Sequence, residues 1–152
     1  MREILFRGKR TDNGEWVFGF YSALPDCVGI VHMIETPKAN PDETNVTYFV
    51  DPSTVGQYTG LTDKNGKQIF EGDVVRTAFE DATGVIAFGD YAGPMNSDKY
   101  THHIGFYPIW EGSFEKLLRK DLGFYSLAVK ELEVIGNIHD NPELLEEVSD
   151  NG

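Results

Sequence analysis

The stretch VGQYTGLTDKNGKQIFEGDVV, residues 55–75, decides the fold because it sets short apolar runs between glycine turns. Asn65-Gly66 is typical of a tight turn, since both residues tolerate positive φ at little cost. Gly72-Asp73 predicts another turn, which leads into a strand over 74–79. A turn near 81–84 then returns the chain as a strand.

Sequence typical of strands continues on both sides of this central stretch. At the N-terminus, residues 2–7 and the aromatic and β-branched residues 16–21 predict two strands, and Asp12-Asn13-Gly14 between them predicts a hairpin turn. Further short strands are predicted within 27–34, at 47–50, at 85–88, at 104–107 and over 131–138.

This spacing of strands and turns predicts a mainly β fold rather than βαβ units. We expect a small barrel or sandwich of short antiparallel strands, with an SH3-like barrel element around 68–90. One or two short helices are predicted near 114–120 and 141–148, the second because Asn141-Pro142 suits a helix start.

The length of 152 residues fits a single compact β-rich domain over 1–152. An alternative division has an N-terminal hairpin subdomain at 1–50 and a barrel-like part at 55–140. Residues 90–103 are polar and predict a long mobile loop, and residues 149–152 predict a frayed tail.

Charge and cysteine content bound the compartment and the partners. The net charge is −12, and residues 1–40 are neutral while both later thirds are acidic. An acidic surface repels phosphate, so nucleic-acid binding is disfavoured. The single Cys27 excludes an intramolecular disulfide and favours a reducing cytosol. No secretory signal or membrane-length apolar run is recognisable, which predicts no membrane association.

One basic cluster stands out against this charge. Arg2, Arg7, Lys9 and Arg10 lie beside the first turn and could bind an acidic partner. The simpler interpretation is a solvated hairpin end. Nucleic-acid binding through this local patch remains an alternative function.

No metal or cofactor site is predicted. The four histidines are not at metal-ligand spacing on one element, and the one cysteine excludes a cysteine-rich zinc site. A site built from the adjacent pair with Asp90 and Asp98 is disfavoured, because neighbouring strand residues point to opposite faces. The histidines are His32, His102, His103 and His139.

Asp63, Asn65 and Gly66 suggest a calcium loop at first sight. An EF-hand would need an oxygen ligand, a glycine and a glutamate where this chain has Lys67, Gln68 and Val74. A hairpin turn explains the same residues.

No catalytic residue is assigned. Cys27 lies in apolar text five residues from His32, without a nucleophile elbow or a phosphate-binding glycine loop, and is predicted to be a buried structural thiol. Abundant carboxylates leave open a small carboxylate-dependent hydrolase.

Aromatic residues are the other feature with binding chemistry. They could stack on bases or receive a peptide, but core and cross-strand packing is their ordinary role in a small β fold. These residues are Trp16, Phe18, Phe20, Tyr21, Phe106, Tyr107 and Trp110.

Three ordered blocks resemble YopX-like proteins, which phages and prophages encode. They are REILFRGKR with NGEWV at 2–17, the central text of 57–75, and EVIGNI with NPELL at 133–145. The blocks span nearly the whole chain, whereas 35–46 and 90–128 carry no such signature.

The resemblance implies a phage or prophage accessory protein of unknown biochemical function in the host bacterium's cytoplasm. It supplies no catalytic residues. With the absence of a recognisable catalytic constellation, it favours a non-enzymatic module that binds a protein partner or assembles with itself as a homo-oligomer.

Overall fold

A computed structural model describes residues 3–77, 83–92, 102–110 and 132–145. Ten β-strands account for most of these residues. Their bounds are β1 Phe6–Lys9, β2 Trp16–Pro25, β3 Ile30–Thr36, β4 Val46–Phe49, β5 Gly56–Thr62, β6 Gln68–Phe70, β7 Asp73–Thr77, β8 Thr83–Ala92, β9 His102–Trp110 and β10 Leu132–Asn137.

The strands form two sheets with antiparallel pairings. One sheet has the order β4-β3-β2-β1-β5-β6 and the other the order β10-β7-β8-β9. The predicted mainly β fold of short antiparallel strands is therefore confirmed. Neither sheet, as described, is closed into a barrel. The SH3-like barrel element around 68–90 stays a prediction.

Helical structure is scarce in the described part of the chain. Residues 143–145 are helical, within the helix predicted near 141–148, and its later residues lie outside the described ranges. The helix predicted near 114–120 lies outside them as well. No helix in the described part is long and apolar enough to cross a bilayer.

The prediction of a loop over residues 90–103 was wrong at both ends of that range. β8 continues to Ala92 and β9 begins at His102, with Tyr91 paired to His103 and Ala92 to His102. Backbone pairing to the opposite strand overrides the polar character of these residues, which had suggested a loop. Residues 93–101 lie outside the described ranges.

Contacts divide the chain into two compact units, Met1–Gly60 and Leu61–Gly152. The division into a single domain, or into parts at 1–50 and 55–140, stays a prediction. In the first unit Ile34 and Val50 are buried beneath β1. Gly8 makes this packing possible, because a Cβ there would lie 3.1 Å from Ile34 and 3.3 Å from Val50.

The second unit has an apolar core between its strands. Trp110 is almost fully buried, and the face of its ring lies where Gly84 leaves space. A Cβ on Gly84 would approach the Trp110 ring to 2.7 Å. The buried cluster consists of Ile69, Val75, Ile86, Phe106, Trp110 and Leu132, with Leu61 and Val134 packed against it.

Asp63 ties the central turn of the second unit to β10. Its Oδ1 accepts hydrogen bonds from the backbone N–H groups of Asn65 and Lys67, both at 2.9 Å. Its Oδ2 accepts a third from the N–H of Val134, also at 2.9 Å. Burial by itself raises the pKa of Asp63, but the three N–H donors outweigh it, so the pKa lies below its ordinary value.

Asp63→Asn is expected to lower the free energy of unfolding by about 1–3 kcal/mol, because an amide N–H₂ would then face the N–H of Val134. The folded pKa of Asp63 is depressed, so its contribution is full above the unfolded pKa of about 3.9 and is lost as pH falls through the folded value. Urea unfolding of both proteins from neutral to acid pH measures this, and the gap should narrow below about pH 4.

Asp26→Asn is the matched control. Asp26 also accepts two backbone N–H bonds, from Val28 and Gly29, but through one oxygen in an exposed turn. An asparagine keeps that acceptor, so the change should stay within about 0.5 kcal/mol. Equal losses in the two variants would contradict the role given to Asp63.

Gly19→Ala is expected to destabilise the first unit by about 1–3 kcal/mol or more, because backbone must shift to admit the methyl group. A Cβ at Gly19 would lie 2.0 Å from the carbonyl oxygen of Glu35 on the paired strand. Thermal unfolding followed by circular dichroism checks this. Gly89→Ala, where the nearest atoms lie 3.9 Å away, should change the midpoint little.

Candidate functional site

Strand register separates two faces on the β1–β4 part of the first unit. Arg7 pairs with Phe18, Phe20 with Glu35, and Met33 with Phe49. Since side chains alternate along a strand, these residues share one face, and their sequence neighbours share the other.

The first face is aromatic and open along β2 and on β4, whereas Arg7 on β1 is buried. Phe18, Phe20 and Leu24 on β2 are two or four residues apart, so they share this face, and they are 42%, 57% and 54% exposed. Phe49 on β4 is 61% exposed. We call the surface formed by Phe18, Phe20, Leu24 and Phe49 the aromatic face. Contiguous exposed apolar side chains of this size mark interaction surfaces more often than isolated ones do.

Two cations flank the aromatic face on the β1 side. The guanidinium carbon of Arg7 lies 4.8 Å from the centre of the Trp16 ring, and Nζ of Lys9 lies 5.4 Å from it. Both distances suit cation–π attraction. The predicted basic cluster is thus partly brought together on one indole ring, while Arg2 lies outside the described residues.

An acid flanks the aromatic face on the opposite side. Glu35 lies on β3 directly across from Phe20 and is exposed. Its Oε1 accepts a hydrogen bond from Nδ2 of Asn45 at 2.9 Å. The β2 side chains of the aromatic face therefore lie between cations on β1 and a carboxylate on β3, and Phe49 lies beyond β3 on β4.

The other face of the same strands carries a polar contact between two rings. Oη of Tyr21 lies 2.6 Å from Nδ1 of His32, and the rings stack with centroids 6.0 Å apart. The centre of the Phe6 ring lies 5.7 Å from that of Tyr21. His32 thus forms its hydrogen bond with the phenol of Tyr21 and not with a carboxylate.

The remaining histidines lie on two separate elements of the described part of the chain. His102 and His103 occupy successive positions at the start of β9. His139 lies in the turn after β10, where its N–H donates to Oδ1 of Asn137. Within the described ranges, no three histidine, cysteine or acidic side chains are grouped so as to hold a metal ion.

The prediction that Cys27 is buried was wrong. Cys27 is exposed at the tip of the β2–β3 hairpin. Asp26 turns the chain there by accepting hydrogen bonds from the backbone N–H groups of Val28 and Gly29. Residues 27–29 therefore form the turn and are not part of a strand. The local side-chain to backbone bonds override the strand propensity of these residues.

The turn that resembled a calcium loop is occupied by backbone donors. Both carboxylate oxygens of Asp63 accept N–H bonds, and the N–H of Gly66 donates to the Asp63 carbonyl at 3.0 Å. Gly66 has a φ of 82°, as the predicted tight turn requires. The hairpin-turn interpretation of this segment is confirmed.

A cleft of about 280 Å³ lies at the outer edge of β4. Arg10 forms one wall, with its guanidinium carbon 4.6 Å from the centre of the Tyr48 ring. The hydrogen bond with Asp12 raises the pKa of Arg10 and lowers that of Asp12. The lining residues are Arg10, Thr11, Asp12, Thr47, Tyr48 and Phe49.

Sequence reasoning named Trp16, Phe18 and Phe20 but assigned them to packing. It missed Leu24, Glu35, Phe49 and the β4 edge. The alternation of large apolar residues at 16, 18 and 20 was the available signal, because a half-buried strand of this kind normally puts polar residues on its exposed face.

The comparisons with known proteins identify the family. No curated protein matches this chain. The crystal structure of protein EF1440 from Enterococcus faecalis is similar, with a TM-score of 0.51, 26% sequence identity, and coverage of 95% of this chain and 99% of that chain. The model of the family described as YopX protein matches residues 5–146. The chain belongs to the YopX protein family.

Proposed function

We propose that this protein is a non-enzymatic module that associates with a second copy of itself through the aromatic face. The observation that carries the proposal is the exposure of Phe20, Leu24 and Phe49, each more than half accessible, on one face of one sheet. Burial of an exposed aromatic or leucine side chain contributes about 1.5–3 kcal/mol. An accessory role in a phage or prophage, in the cytoplasm of the host, belongs to the same proposal.

Charge placement on this face favours a second copy as the occupant. Lys9 lies on β1 and Glu35 on β3, with β2 between them. Lys9 is level with Trp16 on β2 and Glu35 is level with Phe20. A two-fold axis that passes over Phe18, in the plane of the face and perpendicular to the line from Lys9 to Glu35, therefore sets Lys9 of one copy over Glu35 of the other. Each Lys9 then approaches the partner copy's Glu35 while the aromatic side chains meet at the centre, so the face is self-complementary.

Phe20→Ser is expected to weaken dimerisation by at least about 100-fold, because the lost apolar contact counts twice in a two-fold dimer. Sedimentation equilibrium over a concentration series measures the dissociation constant. The fold should persist, since the side chain is exposed in the monomer.

Val28→Ser is the matched control, because Val28 is 90% exposed but lies at the hairpin tip rather than on the aromatic face. It should dimerise like wild type. A protein that stays monomeric at every concentration, or equal weakening in both variants, would sink the proposal.

Charge reversal tests the orientation of the two copies. Lys9→Glu or Glu35→Lys alone should weaken the dimer, since each places like charges together, and the double variant should recover about tenfold or more of the lost affinity. Light scattering of the three variants at low salt makes the comparison. No recovery in the double variant would exclude an axis that pairs Lys9 with the partner copy's Glu35.

Nucleic-acid binding is the second candidate, because Arg7 and Lys9 converge on Trp16 and base stacking beside cations is a known single-strand binding mode. Fluorescence anisotropy with oligothymidylate at physiological salt distinguishes the two. Tight binding that competes with dimerisation would replace self-association with this function. Hydrolysis that depends on a carboxylate would favour the small-hydrolase alternative.

A further inference from the structure

The outer edge of β4 has backbone groups that point away from its sheet. The N–H of Val50 donates to the carbonyl of His32 at 3.0 Å, which fixes the hydrogen-bonding phase of the β3–β4 ladder. Because antiparallel pairs alternate, Tyr48 directs its backbone groups to β3, whereas Thr47 and Phe49 direct theirs outward.

The chain itself already uses one of these outward groups. The N–H of Thr11 donates to the carbonyl of Phe49 at 3.0 Å, and Arg10 forms an isolated bridge with Val50. After Thr11 the chain turns away through Asp12, and Gly14 donates its N–H to the Arg10 carbonyl. Residues 10–11 thus begin a strand beside β4, and no described residue continues it next to Thr47.

The position next to Thr47 coincides with the cleft at the β4 edge. Its lining includes Thr47, Tyr48, Phe49 and Arg10. Nε and a terminal nitrogen of Arg10 donate to the Asp12 carboxylate at 2.9 and 2.6 Å, and Glu15 lies 3.8 Å away. This charge balance leaves little net attraction for an acidic ligand and, with the aromatic rings, favours an uncharged apolar one.

We infer that this cleft binds a short, extended, uncharged segment of a partner protein as an added strand beside β4. The Thr47 N–H and carbonyl hold the backbone of the segment. Successive apolar side chains of the segment pack against Phe49 on one face and against Tyr48 on the other. Main-chain pairing supplies affinity and the flanking rings supply selectivity, as in other cases of strand addition. The site is distinct from self-association through β2 and β3, with which it shares only Phe49.

Thr47→Pro is the variant that isolates this interaction. Proline removes the outward N–H and places its ring in the path of an added strand, and edge strands tolerate proline where the N–H faces solvent. Thr47→Val is the matched control, because it alters the side chain and keeps the N–H. Both variants should retain the circular dichroism spectrum of the full chain.

The probe is a displayed library of random peptides about ten residues long, the length of an ordinary strand, selected on the full chain. The strongest peptide, synthesised and labelled, should bind the wild-type chain and Thr47→Val alike but Thr47→Pro at least about tenfold more weakly. Hydrogen exchange at the Thr47 amide should slow when the peptide is bound, because that N–H gains a partner.

Selection of no peptide, equal binding to Thr47→Pro, or unchanged exchange at Thr47 would overturn the inference. Should Thr47→Pro not fold, exchange at Thr47 in the wild-type complex decides alone. Thr47→Pro should dimerise as wild type does, so failure of strand addition and failure of self-association give different results.

Discussion

The structure of the second unit depends on one carboxylate. Asp63 accepts N–H bonds from both ends of the β5–β6 turn and from Val134 on β10, residues far apart in the sequence. A second backbone bond, from the N–H of Lys64 to the carbonyl of Leu132, runs alongside at 2.9 Å. The turn is thereby held against β10, whose residues Leu132 and Val134 complete the apolar core. A buried carboxylate is tolerable there because backbone donors replace its hydration.

In the first unit the corresponding constraint is the period of two along paired strands. The close approach of β2 and β3 at Gly19 fixes the register, because one residue of slippage would bring a side chain against the Glu35 carbonyl. That register puts Ile34 and Tyr21 on one face and Phe20 and Glu35 on the other. The same alternation on β4 turns the backbone groups of Thr47 outward. Both proposed binding surfaces thus follow from register.

The two surfaces have different chemistry. The aromatic face is broad, with cations beside it on β1 and an acid within it on β3, which suits a self-complementary contact. The β4 edge is narrow, and backbone hydrogen bonding dominates its chemistry. Membership in the YopX family and likeness to protein EF1440 of Enterococcus faecalis establish relatedness along nearly the whole chain. The binding roles rest on this chain's own residues.

The amino-acid sequence by itself determined the class of fold and most of its turns. Gly14, Gly66 and Gly72 adopt φ of 73°, 82° and 89°, a conformation for which glycine carries no side-chain penalty, so their positions were readable as turns. Strands that alternate or carry β-branched residues were located for the same local reason. The local sequence was misleading where contacts with other parts of the chain determine the structure. Cys27 was predicted to be buried, and both ends of residues 90–103 were predicted to be loop.

Only the tertiary structure decided which side of each strand is covered. Alternation along β2 shows that Phe18 and Phe20 share a side. Whether that side is buried depends on its neighbours, which come from β3, β4 and the core and so from elsewhere in the chain. The cleft at Thr47 likewise exists because residues 10–11 leave the β4 edge after one hydrogen bond. Such contacts join residues distant in sequence, and no local pattern encodes them.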